Sequence, residues 1–213
     1  MKIDRFSEIS IIMPAFNAEK TISRAIRSVI NQSYRDWTLI IIDDNSKDNT
    51  FSIAKVFADH DRRIKLFSSP IHDIKGPYFP RNYGIKISNS RFLAFLDSDD
   101  EWLVEKLKEQ LNFHKNKNIA MSCTYYKKIY NQSKFDIVRP PNKISKIKIN
   151  QRNYIPMLTV MIDLKKIKSK KFIQFPNIHH EDYALWLKLF NNKTIKECYT
   201  LKKVLACYNI NNK

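Results

Sequence analysis

Residues 91–102 read RFLAFLDSDDEW, an apolar run that ends in three aspartates within four positions. An unbroken apolar run of this length predicts a strand over 91–96 that is buried on both faces of a sheet. Side chains two positions apart in an extended chain share a face, so Asp97 and Asp99 form a pair of oxygen ligands suited to Mg²⁺ or Mn²⁺. The alternative is that Asp99 or Asp100 caps the helix predicted to begin near Leu103.

Three further apolar strands precede this one, at 9–14, 37–42 and 64–67, and each is followed by a helical pattern or a loop leading to one. Asn17 is predicted to cap the first of these helices. Strands that alternate with amphipathic helices predict an α/β fold with a mostly parallel sheet, whose ligands bind at the carboxyl ends of the strands.

A second acidic pair, Asp43 and Asp44, follows the strand at 37–42. A carboxylate there can accept hydrogen bonds from a base or a ribose, or it can start the next helix, and the residues alone leave both open.

The pattern becomes looser after Asn118. It predicts a long strand over 119–130, a strand over 159–162 and a helix over 182–190 with Trp186 in the core. We therefore place a soft boundary that separates a first half, residues 1–115, from a smaller mixed region, residues 116–213, within one domain.

Composition excludes several functions. The chain has 213 residues but only two glycines, Gly76 and Gly84, so no glycine-rich phosphate loop can be built and a phosphate must be held by metal, Arg or Lys. The three cysteines lack paired or metal-like spacing, which predicts buried thiols in a reducing compartment. No apolar run approaches the roughly 20 residues of a membrane span, so we expect a soluble or peripheral protein.

Charge is distributed unevenly. The net charge is +17, of which only +1 lies before His114 and +16 lies from His114 onward. Such a step favours an anionic partner for the second half, namely nucleic acid, lipid head groups or a phosphorylated acceptor. The alternative is that a lysine-rich composition makes every surface basic.

Five ordered motifs, at residues 9–19, 42–46, 81–85, 95–102 and 181–186, resemble those of family 2 glycosyltransferases with the GT-A fold. The segments 158–163 and 175–178 are similar to the TuaG-like group of bacterial enzymes in teichuronic acid, O-antigen and capsule synthesis. The resemblance implies a Rossmann-like GT-A sheet flanked by helices, with the acceptor side in the mixed region.

The resemblance also implies roles for individual positions. The residues it assigns to the nucleotide and donor sugar are Pro14, Ala15, Phe16, Asn17, Glu19, Asp43, Asp44, Arg81, Asp97 and Ser98. It assigns the metal, Mn²⁺ or Mg²⁺, to Asp99 and Asp97. It makes Asp182 the general base with Glu181 beside it as a second catalytic residue, although two acids at a helix start also suit the helix dipole.

Related chains often carry Arg where Asn209 stands and continue in a serine-rich tail. If that tail closes over the donor, we expect this chain to be truncated, weakly active or completed by a partner.

The function that the resemblance implies is inverting transfer of a sugar from a UDP-sugar to a hydroxyl of a glycan acceptor on a lipid diphosphate. We expect a cytoplasmic enzyme, peripheral at the inner face of the bacterial plasma membrane and without a nucleic-acid partner. The alternatives are a sugar nucleotidyltransferase and a basic nucleic-acid-binding module. A cluster at Lys165, Lys166, Lys168, Lys170 and Lys171 is predicted to bind anionic lipid. The sequence leaves the oligomeric state open.

Overall fold

The computed structural model of this chain describes residues 7–70, 76–131, 133–167 and 169–210. The strands are β1 Ile9–Ala15, β2 Trp37–Asp43, β3 Ile64–Ser68, β4 Phe92–Phe95, β5 Glu101–Trp102, β6 Met121–Ile129, β7 Phe135–Val138, β8 Lys143–Ser145, β9 Met161–Asp163 and β10 Glu197–Asn209. The helices are α1 Ile22–Ile30, α2 Thr50–His60, α3 Tyr78–Ile87, α4 Lys106–Lys117, α5 Lys146–Gln151 and α6 Glu181–Asn191.

One continuous sheet joins both halves of the chain, in the order β3-β2-β1-β4-β9-β6-β10-β5. Strands β1 to β4 are parallel, β9 runs antiparallel between β4 and β6, and β10 is parallel to β6. The carboxyl ends of β1, β2, β4, β6 and β10 therefore lie at one edge. The predicted α/β sheet, mostly parallel with a mixed second part, is confirmed.

Both faces of the sheet are covered, as a parallel sheet requires. Ile11 and Met13 belong to the cluster under α1 and α4, whereas Ile12 belongs to the opposite cluster under α3 and α6. Trp186 lies in that second cluster, where its indole N–H donates to the carbonyl of Ile155 at 3.0 Å, so the core prediction for Trp186 is confirmed.

Helix α3 packs closely on β1 because Gly84 has no side chain. A Cβ at position 84 would lie 2.7 Å from Cγ2 of Ile12, closer than packed carbon atoms approach. This contact holds α3 against the sheet and brings Arg81, on the same helix, to the carboxyl edge.

The structure differs from the sequence prediction in two places, and it also bears on the boundary near residue 115. Helix α1 begins at Ile22 after Thr21, so the prediction that Asn17 caps it is wrong. Strand β10 was not predicted, and neither were β7, β8 and α5 in the basic segment. Residue 115 falls within α4, and both halves contribute strands to one sheet, so the division there is a proposal about function rather than a break in the fold.

The predicted buried thiols are confirmed, since Cys123, Cys198 and Cys207 are free and buried. Among the residues described, no helix is long and apolar enough to cross a bilayer.

Candidate active site

Two neighbouring clefts open at the carboxyl edge of the sheet. The first cleft is lined by Pro14, Ala15, Phe16, Asn17, Ala18, Thr21, Pro77, Arg81, Asp97, Ser98 and Asp99. It thus brings together most of the residues assigned from sequence to the nucleotide and the metal. Glu19, Asp43 and Asp44 lie outside that lining.

The loop after β1 is fixed by bonds to the loop after β2. Asn17 has a left-handed backbone, with φ of 46°, and its amide donates to Oγ of Ser46 at 3.0 Å. Its side-chain carbonyl accepts from the amide of Lys47 at 2.8 Å. Asn17 therefore braces the two loops, and Phe16 beside it is left 59% exposed on the cleft wall.

The acidic pair after β2 divides into two roles. Asp43 is buried and accepts from both the amide and the hydroxyl of Ser46, so its carboxylate stabilises the turn. Asp44 is half-buried, and its amide donates to the carbonyl of Ala15 at 2.8 Å. Burial raises the pKa of Asp44 and the charge of Asp43 adds to this, against a hydrogen bond from Ser69. Neither acid caps α2.

Glu19, which the resemblance assigns to the nucleotide, bonds to Asn49. Its carboxylate accepts from the amide and the side-chain nitrogen of Asn49, both at 3.1 Å, at the start of α2. Its assignment to the nucleotide stays a prediction.

Arg81 lies where the two clefts meet. Its guanidinium donates from Nη2 to Asp97 at 2.6 Å and from Nη1 to Glu181, and the side chain is almost fully buried. Burial has the largest effect on the pKa of Arg81 and lowers it. The charges of Asp97 and Glu181 act in the opposite direction, and the net pKa is raised. The guanidinium therefore stays charged and joins β4 to α6.

The turn after β4 is held by its backbone. The carbonyl of Asp99 accepts from Nη2 of Arg24 at 3.1 Å and from the side-chain amide of Asn209 at 3.0 Å. These two bonds to its backbone fix the turn that carries Asp97, Ser98 and Asp99. The helix that follows begins after Glu105, so Asp99 and Asp100 do not cap it.

Asp100 lies in the site, whereas the sequence predicts it only as a possible helix cap. Asp100 is fully buried, Oδ1 accepts from the amide of Asn209 at 2.9 Å, and Oδ2 has no partner in the described part of the chain. Burial, together with the charges of Asp97 and Asp99, raises the pKa of Asp100 well above its usual range. No sequence signal links two residues that are so far apart in the chain.

These carboxylates fit a divalent cation. Asp97 and Asp99 both line the first cleft, and Oδ2 of the buried Asp100 at the same turn has no partner among the described residues. No three His, Cys, Asp or Glu side chains among the described residues converge into a cage of their own. A site of this kind suits Mg²⁺ or Mn²⁺, which take few protein ligands and add substrate phosphates.

The second cleft shares Pro77, Arg81 and Asp97 with the first. Its remaining lining residues are Asp100, Tyr126, Asn153, Pro156, Met157, Leu158, His179, His180, Glu181, Asp182 and Tyr208. It therefore lies directly beside the first cleft, with Arg81 and Asp97 between them.

Asp182 lies in the first turn of α6 and faces the second cleft. Its Oδ2 accepts from the side-chain amide of Asn153 at 3.1 Å. Burial, the largest effect, raises the pKa of Asp182, and Glu181 adds to this, whereas the Asn153 bond and the charge of Arg81 lower it. The net direction is upward, which suits a carboxylate that must accept a proton.

Two histidines form the rim of the second cleft before α6. His180 has a left-handed backbone with φ of 58°, and its ring lies 4.1 Å from that of His179, centre to centre. This conformation is uncommon for a residue other than glycine. It turns the chain so that α6 begins with Glu181 and Asp182 at the cleft.

Comparison with known proteins identifies the family. The family model described as glycosyl transferase family 2 matches residues 10–180. The chain is 40% identical over 187 residues, 88% of its length and 71% of the relative, to UDP-Glc:alpha-D-GlcNAc-diphosphoundecaprenol beta-1,3-glucosyltransferase WfgD of Escherichia coli. It is 33% identical over 209 residues, 96% of its length and 79% of the relative, to the putative teichuronic acid biosynthesis glycosyltransferase TuaG of Bacillus subtilis. The chain belongs to glycosyl transferase family 2.

Solved structures show the same fold. The S. aureus TarS structure in complex with UDP-GlcNAc has a TM-score of 0.79 at 21% identity, over 97% of this chain and 59% of that one. Mannosyltransferase PcManGT from Pyrobaculum calidifontis, in complex with GDP-Man and Mn²⁺, has a TM-score of 0.72 at 11% identity, over 99% of this chain and 59% of that one. The fold is therefore GT-A, and the chain spans about three fifths of these solved chains.

Proposed function

We propose that this chain transfers a sugar from a UDP-sugar to a hydroxyl of a glycan acceptor on a lipid diphosphate, in the synthesis of a bacterial surface polysaccharide. The observation that carries the proposal is the pair of adjoining clefts with Asp97 and Arg81 between them and Asp182 on the far side. The first cleft would hold the donor and the second the acceptor. The name of the relative WfgD supports the donor and acceptor classes, and the name of TuaG supports a role in polysaccharide synthesis.

The reaction needs a proton acceptor at the attacking hydroxyl. Asp182 would accept that proton as the acceptor oxygen bonds to the anomeric carbon and the bond from that carbon to UDP breaks. A positioned general base typically contributes about 10² to 10⁴-fold in rate. With the base and the leaving diphosphate on opposite sides of the reacting carbon, direct displacement would invert its configuration.

The donor side needs charge neutralisation and orientation. Asp97 and Asp99 would hold Mn²⁺ or Mg²⁺, which when bound would stabilise the negative charge on the leaving diphosphate. Asp44 is the proposed partner of the uracil ring. Arg81 is already paired with two carboxylates, so it would position Asp97 relative to Glu181. Its contact with the diphosphate stays a prediction.

The acceptor class implies a membrane. A glycan on a lipid diphosphate is held at a bilayer surface, which supports a peripheral location at the inner face of the plasma membrane. The basic second half of the chain suits an anionic surface of that kind.

A panel of UDP-sugars tests the proposal. The chain is incubated with each donor and Mn²⁺ or Mg²⁺, with and without a water-soluble GlcNAc-diphosphate acceptor, and UDP release and product are measured. We expect one donor to give acceptor-dependent UDP release, lost in Asp99→Ala and retained in Asp59→Ala, an exposed acid on α2. The absence of binding, hydrolysis and transfer for every donor would contradict the proposal.

A further inference from the structure

The hairpin of β6 and β7 has two chemically different faces. In its antiparallel register Lys127 pairs with Ile137 and Ile129 with Phe135, so these four side chains share one face, called here the outer face. Phe135 is 50% exposed and Ile137 is 37% exposed, and Nζ of Lys127 lies 4.9 Å from the centre of the Phe135 ring. The outer face is therefore an uncovered apolar strip beside a cation.

The opposite face of the hairpin satisfies its own polar groups. The hydroxyl of Tyr130 donates to Asp136 at 2.9 Å, and Nζ of Lys128 and of Lys134 lie within 5.5 Å of the Tyr130 ring centre. Exposed apolar groups on this hairpin are thus confined to the outer face, and the hairpin is amphipathic.

The surrounding segment is strongly basic. Residues 127–148 contain seven Lys and Arg against one acidic residue, Asp136. The same segment contains Ile147 on α5, which is 76% exposed. Exposed apolar side chains among lysines are the chemistry that binds an anionic lipid surface, because head-group charge and apolar burial act together.

The hairpin also extends from the edge where the clefts open. Strand β6 runs in the same direction as β4, and its Tyr126 lines the second cleft one residue before Lys127. From Tyr126 to Ile129 the strand advances about 10 Å. Because successive side chains of a strand alternate in direction, Tyr126 belongs to the cleft side of the hairpin and Lys127 to the outer face. A surface bound to the outer face would therefore lie further along the same strand, within about 10 Å of Tyr126.

We propose that the outer face docks on an anionic bilayer, with Phe135 and Ile137 entering the head-group region and Lys127 and its neighbours binding lipid phosphate. This docking keeps the second cleft close to the bilayer that holds the acceptor, a consequence that rests on the proposed function, whereas the docking itself does not.

The lysines at 165–171 are a weaker surface for this role. Nζ of Lys170 donates to the carbonyls of Lys86 and Ser88 at 3.0 and 2.8 Å, so its charge is already used to hold the end of α3. Lys168 lies outside the described residues. This cluster provides a matched comparison for the hairpin.

Co-sedimentation with vesicles tests the docking surface. The full chain is mixed with phosphatidylcholine vesicles that contain or lack phosphatidylglycerol, and the bound fraction is measured. We expect binding only with phosphatidylglycerol, weakened about tenfold or more by Phe135→Ser with Ile137→Ser and about fivefold by Lys127→Gln. The control pair Phe51→Ser with Val56→Ser, exposed on α2, keeps wild-type binding.

Three outcomes would overturn the inference. One is wild-type binding by both the hairpin pair and Lys127→Gln, each judged folded from its circular dichroism and melting curve. A second is a loss of vesicle binding that occurs only in the variants Lys165→Gln, Lys166→Gln and Lys171→Gln. The third is a wild-type dimer that the hairpin pair dissociates with no change in vesicle binding, which would make the outer face a contact between copies. Should the serine pair fail to fold, Lys127→Gln decides the result.

Activity without vesicles separates this inference from the proposed function. Transfer to the water-soluble acceptor should be equal in the wild type and both hairpin variants. Vesicle binding without any transfer would leave the docking surface standing and remove the proposed function. Transfer without vesicle binding would support the proposed function and overturn the docking surface.

Discussion

Nη2 of Arg81 lies 2.6 Å from Oδ1 of Asp97, and Nη1 of the same guanidinium donates to Glu181, a hundred residues further along the chain. One cation thus joins the wall of the first cleft to the helix that carries Asp182. Breaking a buried pair by removing one partner costs about 3–5 kcal/mol, because it leaves buried charge without compensation. The partial exposure of Asp97 favours the lower end of that range.

The first prediction concerns Arg81→Met. We expect the free energy of unfolding to fall by about 3 kcal/mol, measured by urea denaturation, and Glu181→Gln in the same chain to restore part of the loss. Lys55→Met, which breaks an exposed pair with Asp59, should cost less than about 1 kcal/mol. Equal losses in the two single variants would show that the Arg81 pairs do not stabilise the site.

The second prediction concerns the pH dependence of transfer. Asp182 acts as a base only when deprotonated, so the rate should rise with pH through its pKa and then level off. The Asn153 bond stabilises the carboxylate and lowers that pKa, hence Asn153→Ala should move the midpoint to higher pH. Asn153→Asp adds a like charge and should move it in the same direction.

The measurement is kcat against pH with the water-soluble acceptor. Asn150→Ala is the control, because Asn150 bonds to the carbonyl of Lys146 and does not contact Asp182. A midpoint that stays at the wild-type pH in Asn153→Ala would show that this bond does not tune the base.

The third prediction concerns His114, a buried residue on α4. Its Nδ1 lies 3.1 Å from the carbonyl of Ile119 and its Nε2 2.7 Å from Oγ of Ser122, and burial lowers its pKa from 6.5 to about 4. The unfolded chain therefore binds the proton more tightly between these values, so stability is lost as pH falls below 6.5 and the loss is complete near 4.

Between pH 7 and pH 5 this group should cost about 2 kcal/mol of unfolding free energy. Denaturation at both pH values, in the wild type and in His114→Gln, measures the difference. If both chains lose the same stability over that interval, His114 is not the group responsible.

Much of the fold could be predicted because its signals are local. The predicted strands that became β1 and β2 are apolar apart from Ser10 in the first and Thr38 in the second, and the observed strands extend past the predicted ends by one residue each. Strand β10 has no such signal, because shifts in register between Leu201 and Ala206 interrupt the alternation of its side chains, and two lysines, Lys202 and Lys203, lie within that stretch.

The site could be predicted less completely, for a related reason. Motif order located the first cleft and Asp182, but motif order says nothing about which side chains pair across the sheet. The Arg81–Glu181 and Asp100–Asn209 contacts depend on the strand order β4-β9-β6-β10. The resemblance assigns Glu19 and Asp43 to the nucleotide, and it does not predict the bonds that their carboxylates make to Asn49 and Ser46.

The central claim is that Asp182 removes the proton from an acceptor that attacks a UDP-sugar. The most direct test measures two quantities in Asp182→Asn, namely sugar transfer to the water-soluble acceptor and UDP affinity by calorimetry. Asp59→Asn is the control for both. The account predicts a loss in kcat of at least about 10²-fold with UDP affinity unchanged. Wild-type turnover by Asp182→Asn would contradict it.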